Sequence, residues 1–188
     1  MDTRSLLLDQ AVRLFAARGV DAVGVQEIVE SAGVTKPTLY HHFGSKEGLV
    51  RTLLDRGFGT LDQVLDSLGP YDRDLPYYLE RQAGLWIDAV RLQPDWFRVE
   101  LSLTFMPEEN ALAALVRPGV ARLQERMEAL FIEAGQQHGN MKGRHRILAA
   151  GWHGALNHWT GIHLGGWVDT NEAFLRAGTR QFLYGIFS

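Results

Sequence analysis

Apolar residues recur at intervals of three and four along most of this chain, which leaves few fold classes open. Near the N-terminus, for example, Leu8, Ala11 and Phe15 occupy positions i, i+3 and i+7, as on one face of an α-helix. The strict alternation of apolar and polar residues that marks a strand does not persist over any useful length. We therefore predict an all-α protein of about nine helices.

Capping residues, glycine and proline predict where these helices end. Asp2 or Thr3 precedes the first helix and Gly19 follows it. Ser45 precedes a long fourth helix, and a linker is expected at residues 69–76. In order, the predicted helices cover residues 3–18, 25–32, 35–43, 46–68, 77–92, 95–105, 109–138, 143–164 and 171–186.

The composition excludes several classes of protein. With 188 residues and 46% hydrophobic residues, the chain is long enough to bury a substantial core. It has no cysteine, which rules out disulfides, thiolate zinc sites and cysteine nucleophiles. No apolar run approaches the roughly 20 residues that span a bilayer, and the N-terminus does not resemble a secretory signal. We expect a cytoplasmic protein that does not associate with a membrane.

The segment from Val25 to Phe43 has the pattern of a helix-turn-helix. A short apolar-periodic stretch ends at Gly33, and a second begins with Pro37 in its first turn. In proteins that bind DNA with this motif, the first helix crosses the backbone and the second enters the major groove. The pattern therefore makes DNA binding plausible.

A longer stretch resembles a known family. AVRLFAARGVDAVGVQEIVESAGVTKPTLYHHFGSKEGLV is similar to the N-terminal domain of the TetR family, the tetracycline-repressor-like bacterial regulators. The most specific part is LYHHF followed by a small residue and Ser-Lys-Glu. The resemblance covers about the first 55 residues. It implies a DNA-binding domain at residues 1–48 and a helical effector-binding and dimerisation domain at residues 49–188.

The resemblance assigns DNA-contacting roles to residues on and around the third helix. Leu39 and Phe43 are expected to face the core with Ala32 and Val34. Residues on the exposed N-terminal side and flank are expected to reach base edges: Thr35, Lys36, Pro37, Thr38 and His42. Residues that resemble the phosphate-contacting positions of the family are Tyr40, His41 and Lys46.

Charge and capping modify this expectation. Residues 33–51 contain Lys36, Lys46 and Arg51 against Glu47, a net charge of +2, whereas the whole chain carries -3. The basic surface is therefore local. Members of the family often begin the second helix with Thr or Ser, but here Gly24 stands there. Glycine is a weaker cap, although its N–H can still face a phosphate, and we expect somewhat weaker DNA binding.

The layout of the family implies a homodimer formed by the last two helices. In the first of them, Ala149, Ala150, Gly151, Gly154 and Ala155 offer a small-residue surface for close helix packing. Phe174, Leu175, Phe182, Leu183 and Ile186 give the last helix an apolar face. Both faces could instead belong to the core of a single chain. A two-fold dimer would place two recognition helices about 34 Å apart, the spacing of a palindromic operator.

A small-molecule effector is expected among the middle helices, where aromatic residues cluster. We predict an apolar or aromatic ligand contacted by Trp86, Trp96, Phe97, Phe105 and Trp152, with His153 and Asn157 orienting it. Taken singly, an aromatic residue of this kind is more often core than ligand contact. The resulting hypothesis is a repressor that leaves its operator when this ligand binds.

Other functions have weaker support. His153, His158 and His163 are separated by steps of five, which turn about 140° around a helix, so they do not converge on a metal ion. No catalytic signature is present, and Glu108-Glu109 after a proline resembles a helix start. We expect no enzyme activity, cofactor or metal. The alternative is a helical protein-interaction module whose DNA-binding head is degenerate.

Overall fold

The computed structural model describes residues 2–185, and nine α-helices account for most of this part of the chain. A single 3-10 turn, Gly139–Met141, follows the seventh helix, and residues 2–185 contain no strand, which confirms the all-α prediction. The helices are α1 (Thr3–Arg18), α2 (Val25–Ser31), α3 (Lys36–Phe43), α4 (Lys46–Asp66), α5 (Leu75–Leu92), α6 (Pro94–Thr104), α7 (Ala113–Gly135), α8 (His145–Leu164) and α9 (Glu172–Tyr184).

The helix ends near the N-terminus follow local capping chemistry. The carboxylate of Asp2 accepts a hydrogen bond of 2.7 Å from the backbone N–H of Ser5, and Gly19 ends α1 with a φ of 86°. At the start of α4, the hydroxyl of Ser45 accepts from the N–H of Gly48 at 3.1 Å. These bonds confirm the predicted caps at Asp2 and Ser45.

The predicted start of α7 at residue 109 is wrong. Residues 107–112 form turns instead, and the helix begins at Ala113. Asn110 accounts for the difference, because its side-chain oxygen accepts from the N–H of Leu112 at 2.8 Å and so competes with helical hydrogen bonding. Ile186, where the last helix was predicted to end, lies outside the described residues.

Two compact units make up the chain. The first extends through Gly59 and includes Gln93–Val120, and the second contains Thr60–Leu92 and the chain from Ala121 onward. In the first unit, α1 packs against α2, α3 and α6. Helix α1 therefore shares a core with α6, a helix that begins more than 70 residues later in the chain. The domain boundary predicted after residue 48 stays a prediction, because a compact unit need not fold alone.

Aromatic rings fill the first unit between α4, α6 and the start of α7. Phe58 and Trp96 meet edge to face, with ring centroids 5.1 Å apart. Two glycines permit this packing: a Cβ at Gly57 would overlap the indole of Trp96, and a Cβ at Gly119 would overlap the ring of Phe58. These glycines are therefore required for close approach.

In the second unit, α5 packs against α8 and α9, and buried tryptophans form polar links between helices. The indole N–H of Trp86 donates to the hydroxyl of Thr160 at 2.9 Å, and that of Trp152 donates to the side-chain oxygen of Gln82 at 2.7 Å. The predicted small-residue surface of α8 needs one correction, because Ala149 is fully buried against this core. None of the described helices is both long and apolar enough to cross a membrane.

Candidate nucleic-acid interface

A tight turn connects α2 and α3. Gly33 adopts a φ of +65°, a conformation that glycine tolerates at little cost. The N–H of Val34 donates back to the carbonyl of Val29 at 2.9 Å. Ile28, Val29 and Leu39 are buried, so the inner faces of both helices belong to the core. The two helices thus have the arrangement of a helix-turn-helix.

The outer face of α3 is open to solvent. Thr35, Lys36, Pro37, Tyr40 and His41 are exposed, and Thr38 and His42 are half-buried. The hydroxyls of Thr35 and Thr38 lie 3.0 Å apart and share a hydrogen bond, which orients both at the N-terminal end of the helix. These seven residues are the DNA contacts predicted for α3 and its N-cap, and all of them are at least partly accessible to solvent.

The C-terminal end of α3 differs from the prediction. Phe43, expected in the core beside Leu39, is only half-buried, and the guanidinium of Arg4 lies 5.6 Å from the centre of its ring. The rings of His41 and His42 meet edge to face at 5.4 Å. Arg4 adds a basic group beside the recognition helix that the sequence reasoning missed, since nothing near residue 4 indicates its position next to residue 43.

Lys46 has a structural partner. Its ammonium donates a hydrogen bond of 2.6 Å to the carbonyl of Val20 and lies 5.9 Å from the centre of the Phe15 ring. One of its three hydrogens therefore connects α4 to the chain just after α1. Two hydrogens remain for a phosphate oxygen. The phosphate contact of Lys46 stays a prediction, and the residue also has the structural role of holding the carbonyl of Val20.

Gly24 lies at the N-terminus of α2, as expected. It is exposed and extended, and no side chain caps the helix there. Arg18, at the end of α1, pairs with Glu27 in α2 and reaches the carbonyl of Ala22 at 3.4 Å. The start of α2 is thus held by its neighbours and leaves the N–H groups of its first turn accessible.

Comparison with known proteins identifies this region. Residues 7–53 match the model of the tetR family, described as bacterial regulatory proteins. The repressor KstR2 of Mycolicibacterium smegmatis (strain ATCC 700084 / mc(2)155), an HTH-type transcriptional repressor, is 46% identical over 68 residues, which are 34% of this chain and 33% of that repressor. This segment of the chain is therefore similar to the tetR family. The matched part covers only about a third of the length of that repressor.

The likeness of fold extends beyond the matched segment. A TetR-like transcriptional regulator from Rhodococcus sp. RHA1 has a TM-score of 0.77 and 21% identity, covering 98% of this chain and 97% of that one. The transcriptional regulator FadR from Bacillus subtilis, solved in complex with stearoyl-CoA, has a TM-score of 0.80 and 18% identity, covering 97% and 98%. At these identities the likeness shows the fold alone.

The seven predicted effector residues divide between the two units. In the second unit, the rings of Trp86 and His153 meet edge to face at 5.9 Å, and Asn157 is half-buried on the same helix as Trp152. Burial lowers the pKa of His153, which favours its neutral form. The effector contacts stay a prediction.

The other three belong to the first unit. Trp96 and Phe97 are buried with ring centroids 4.8 Å apart, and the indole N–H of Trp96 is buried without a hydrogen-bond partner. Phe105 is 75% exposed. No group of three histidine, aspartate or glutamate side chains within residues 2–185 is placed to hold a metal ion.

Proposed function

We propose that this protein is a transcriptional repressor that binds a palindromic operator as a homodimer and leaves it when a small apolar or aromatic ligand binds. The observation that carries the proposal is the exposed recognition helix α3 on a buried scaffold, within the segment that matches the tetR family. The repressor function is proposed because a relative that matches this segment is an HTH-type transcriptional repressor.

Contacts from α3 divide into two roles. Lys36, Pro37 and Thr38, at the N-terminal end, are exposed or half-buried and suited to base edges in the major groove. Tyr40 is 46% exposed and His41 is exposed further along the helix, suited to phosphate oxygens. Base contacts set sequence preference and phosphate contacts set affinity.

The exposed face of α8 supports a two-fold dimer. Ala150, Gly151 and Gly154 lie exposed there, and Ile147 is 68% exposed beside them. Small residues let a second helix approach closely, and an exposed isoleucine gives it apolar area to bury. A second copy of the chain related by a two-fold axis would bring its own α8 to this face.

Aromatic side chains near α5 and α8 support an apolar or aromatic ligand. The FadR regulator that shares this fold was solved with stearoyl-CoA, a ligand with a long apolar chain. α4 and α7 each begin in the first unit and end in the second, so a ligand bound near α5 and α8 could act on the DNA-binding helices through either of them. A coupling free energy of about 1 to 3 kcal/mol through them would weaken operator binding roughly 5- to 150-fold.

Selection of random duplex DNA by the purified protein tests the proposal. The enriched sequence and a shuffled control are then compared across a salt series. An enriched palindrome bound roughly 1,000-fold or more above shuffled DNA supports a specific dimeric regulator. Weak, salt-labile binding without enrichment would instead favour the protein-interaction module.

A pair of lysine variants localises the site. Lys36→Ala removes a charge from α3, whereas Lys142→Ala removes the same charge from an exposed position between the 3-10 turn and α8. We expect Lys36→Ala alone to alter the preferred operator. Equal effects of the two variants would contradict recognition by α3.

A further inference from the structure

The turn between α1 and α2 determines where α2 begins. Val20 and Val23 are fully buried at its two ends, while Asp21 and Ala22 are exposed between them. Its backbone is held by the ammonium of Lys46 on the carbonyl of Val20. Because α3 packs against α2, a shift of this turn displaces both helices of the motif.

Another contact reaches this turn from far along the chain. The side-chain amide of Asn110 donates a hydrogen bond of 3.0 Å to the carboxylate of Asp21, 89 residues earlier. Asn110 lies between α6 and α7 in the same compact unit, and its side-chain oxygen accepts from the N–H of Leu112. One side chain therefore connects the α6–α7 segment to the α1–α2 turn.

The donor and acceptor functions of Asn110 are separate. The oxygen stabilises its own turn through Leu112, and the nitrogen alone makes the bond to Asp21. The acceptor is a carboxylate oxygen, and hydrogen bonds to carboxylates belong to the stronger, charge-assisted class. A substitution can therefore remove the long-range bond and leave the local turn intact.

We propose that Asn110 is a positioning residue for DNA binding, which holds the α1–α2 turn through Asp21 and thereby orients α2 and α3. The inference rests on the proposed DNA-binding function. Asn110 does not touch DNA. It acts by limiting the orientations that the helix-turn-helix adopts before binding, so its loss lowers affinity for the operator.

The variant Asn110→Asp isolates this role. Its carboxylate still accepts from the N–H of Leu112, but it cannot donate to Asp21 and repels it. We expect affinity for the selected operator to fall about 3- to 10-fold. Circular dichroism checks that the variant is as fully folded as the unmodified protein, so that the loss is not caused by unfolding. Unchanged affinity would overturn the proposal.

Two further variants separate positioning from charge. Asp21→Asn keeps an amide-to-amide hydrogen bond with Asn110, and we expect affinity within about twofold of the starting protein. The double variant Asp21→Asn with Asn110→Asp reverses donor and acceptor and leaves the net charge of the chain unchanged. It should recover affinity to within about twofold of the starting protein.

The pattern of outcomes distinguishes the two proposals. A reversed pair as weak as Asn110→Asp overturns the positioning role, because the loss then comes from a negative charge at residue 110 rather than from the missing bond. Failure of the unmodified protein to enrich any palindrome contradicts the proposed function itself, before any variant is compared.

Discussion

Glu100 is a buried carboxyl group whose replacement has a calculable effect on stability. It lies in α6, only 5% exposed, and accepts a hydrogen bond of 2.8 Å from the hydroxyl of Thr104. Burial raises its pKa from 4.5 to about 7, an effect that the bond from Thr104 partly opposes. Glu100→Gln keeps the shape and the acceptor for Thr104 but cannot ionise, so its comparison with the unmodified protein isolates the cost of the charge.

The sign and size of the effect follow from proton linkage. Below pH 4.5 the group is protonated in both folded and unfolded chains, and its ionisation has no effect on stability. Between pH 4.5 and about 7 the unfolded chain releases the proton that the folded chain retains, so stability falls as pH rises. Above pH 7 the full cost of about 3 kcal/mol applies. Glu100→Gln should therefore be more stable than the unmodified protein by up to about 3 kcal/mol at pH 8 and by less than about 1 kcal/mol at pH 5.

Urea unfolding at several pH values measures this difference. Other titrating groups are common to both proteins, so their contributions cancel when the two free energies of unfolding are subtracted. Glu109→Gln, at an exposed position, serves as the control and should change stability by less than about 0.5 kcal/mol. A difference between Glu100→Gln and the unmodified protein that stays constant from pH 5 to 8 would refute the reasoning.

Two further predictions concern α3 and α4. Tyr40→Phe should weaken binding to all operator variants alike, because it removes the hydroxyl proposed to contact a phosphate, whereas Thr38→Ala should also change the preferred sequence. Equal losses across a panel of operators measured by fluorescence anisotropy would contradict this division. Gly57→Ala should destabilise the protein by about 1 to 3 kcal/mol because its Cβ would overlap Trp96. Gly59→Ala adds a Cβ that meets no atom within 4 Å, and it should stabilise α4 by up to about 1 kcal/mol. Thermal melts compare the two variants, and a higher melting temperature for Gly57→Ala would contradict the close packing of Gly57 against Trp96.

The miss at residues 107–112 illustrates a limit of local patterns. Pro107 followed by two glutamates is typical of a helix start, and the same residues form turns in the structure. Asn110 contributes because its side chain bonds both to its own backbone turn and to Asp21. The local bond is one that asparagine commonly forms in turns, so the residue type predicts it. The bond to Asp21 cannot be predicted from the residue type.

Glu100 shows a signal that sequence reasoning could have used. It follows Trp96 by four residues and Phe97 by three, so it lies on the apolar face of the predicted helix at 95–105. A carboxyl group on such a face is either paired or protonated when buried. The periodicity therefore indicated burial, and only the structure identified Thr104 as its partner.

The sequence by itself determined the helical class, a cap for α1 at Asp2 or Thr3, the cap at Ser45 and the exposed face of the recognition helix. These features depend on residues within one or two helical turns of each other, and such residues interact in any conformation that contains the helix. Only the tertiary structure decided that Lys46 binds the carbonyl of Val20 and that Asn110 reaches Asp21. The first pair is separated by 26 residues along the chain and the second by 89. Such contacts exist only once the core has brought distant segments together, so the sequence around each residue does not predict them.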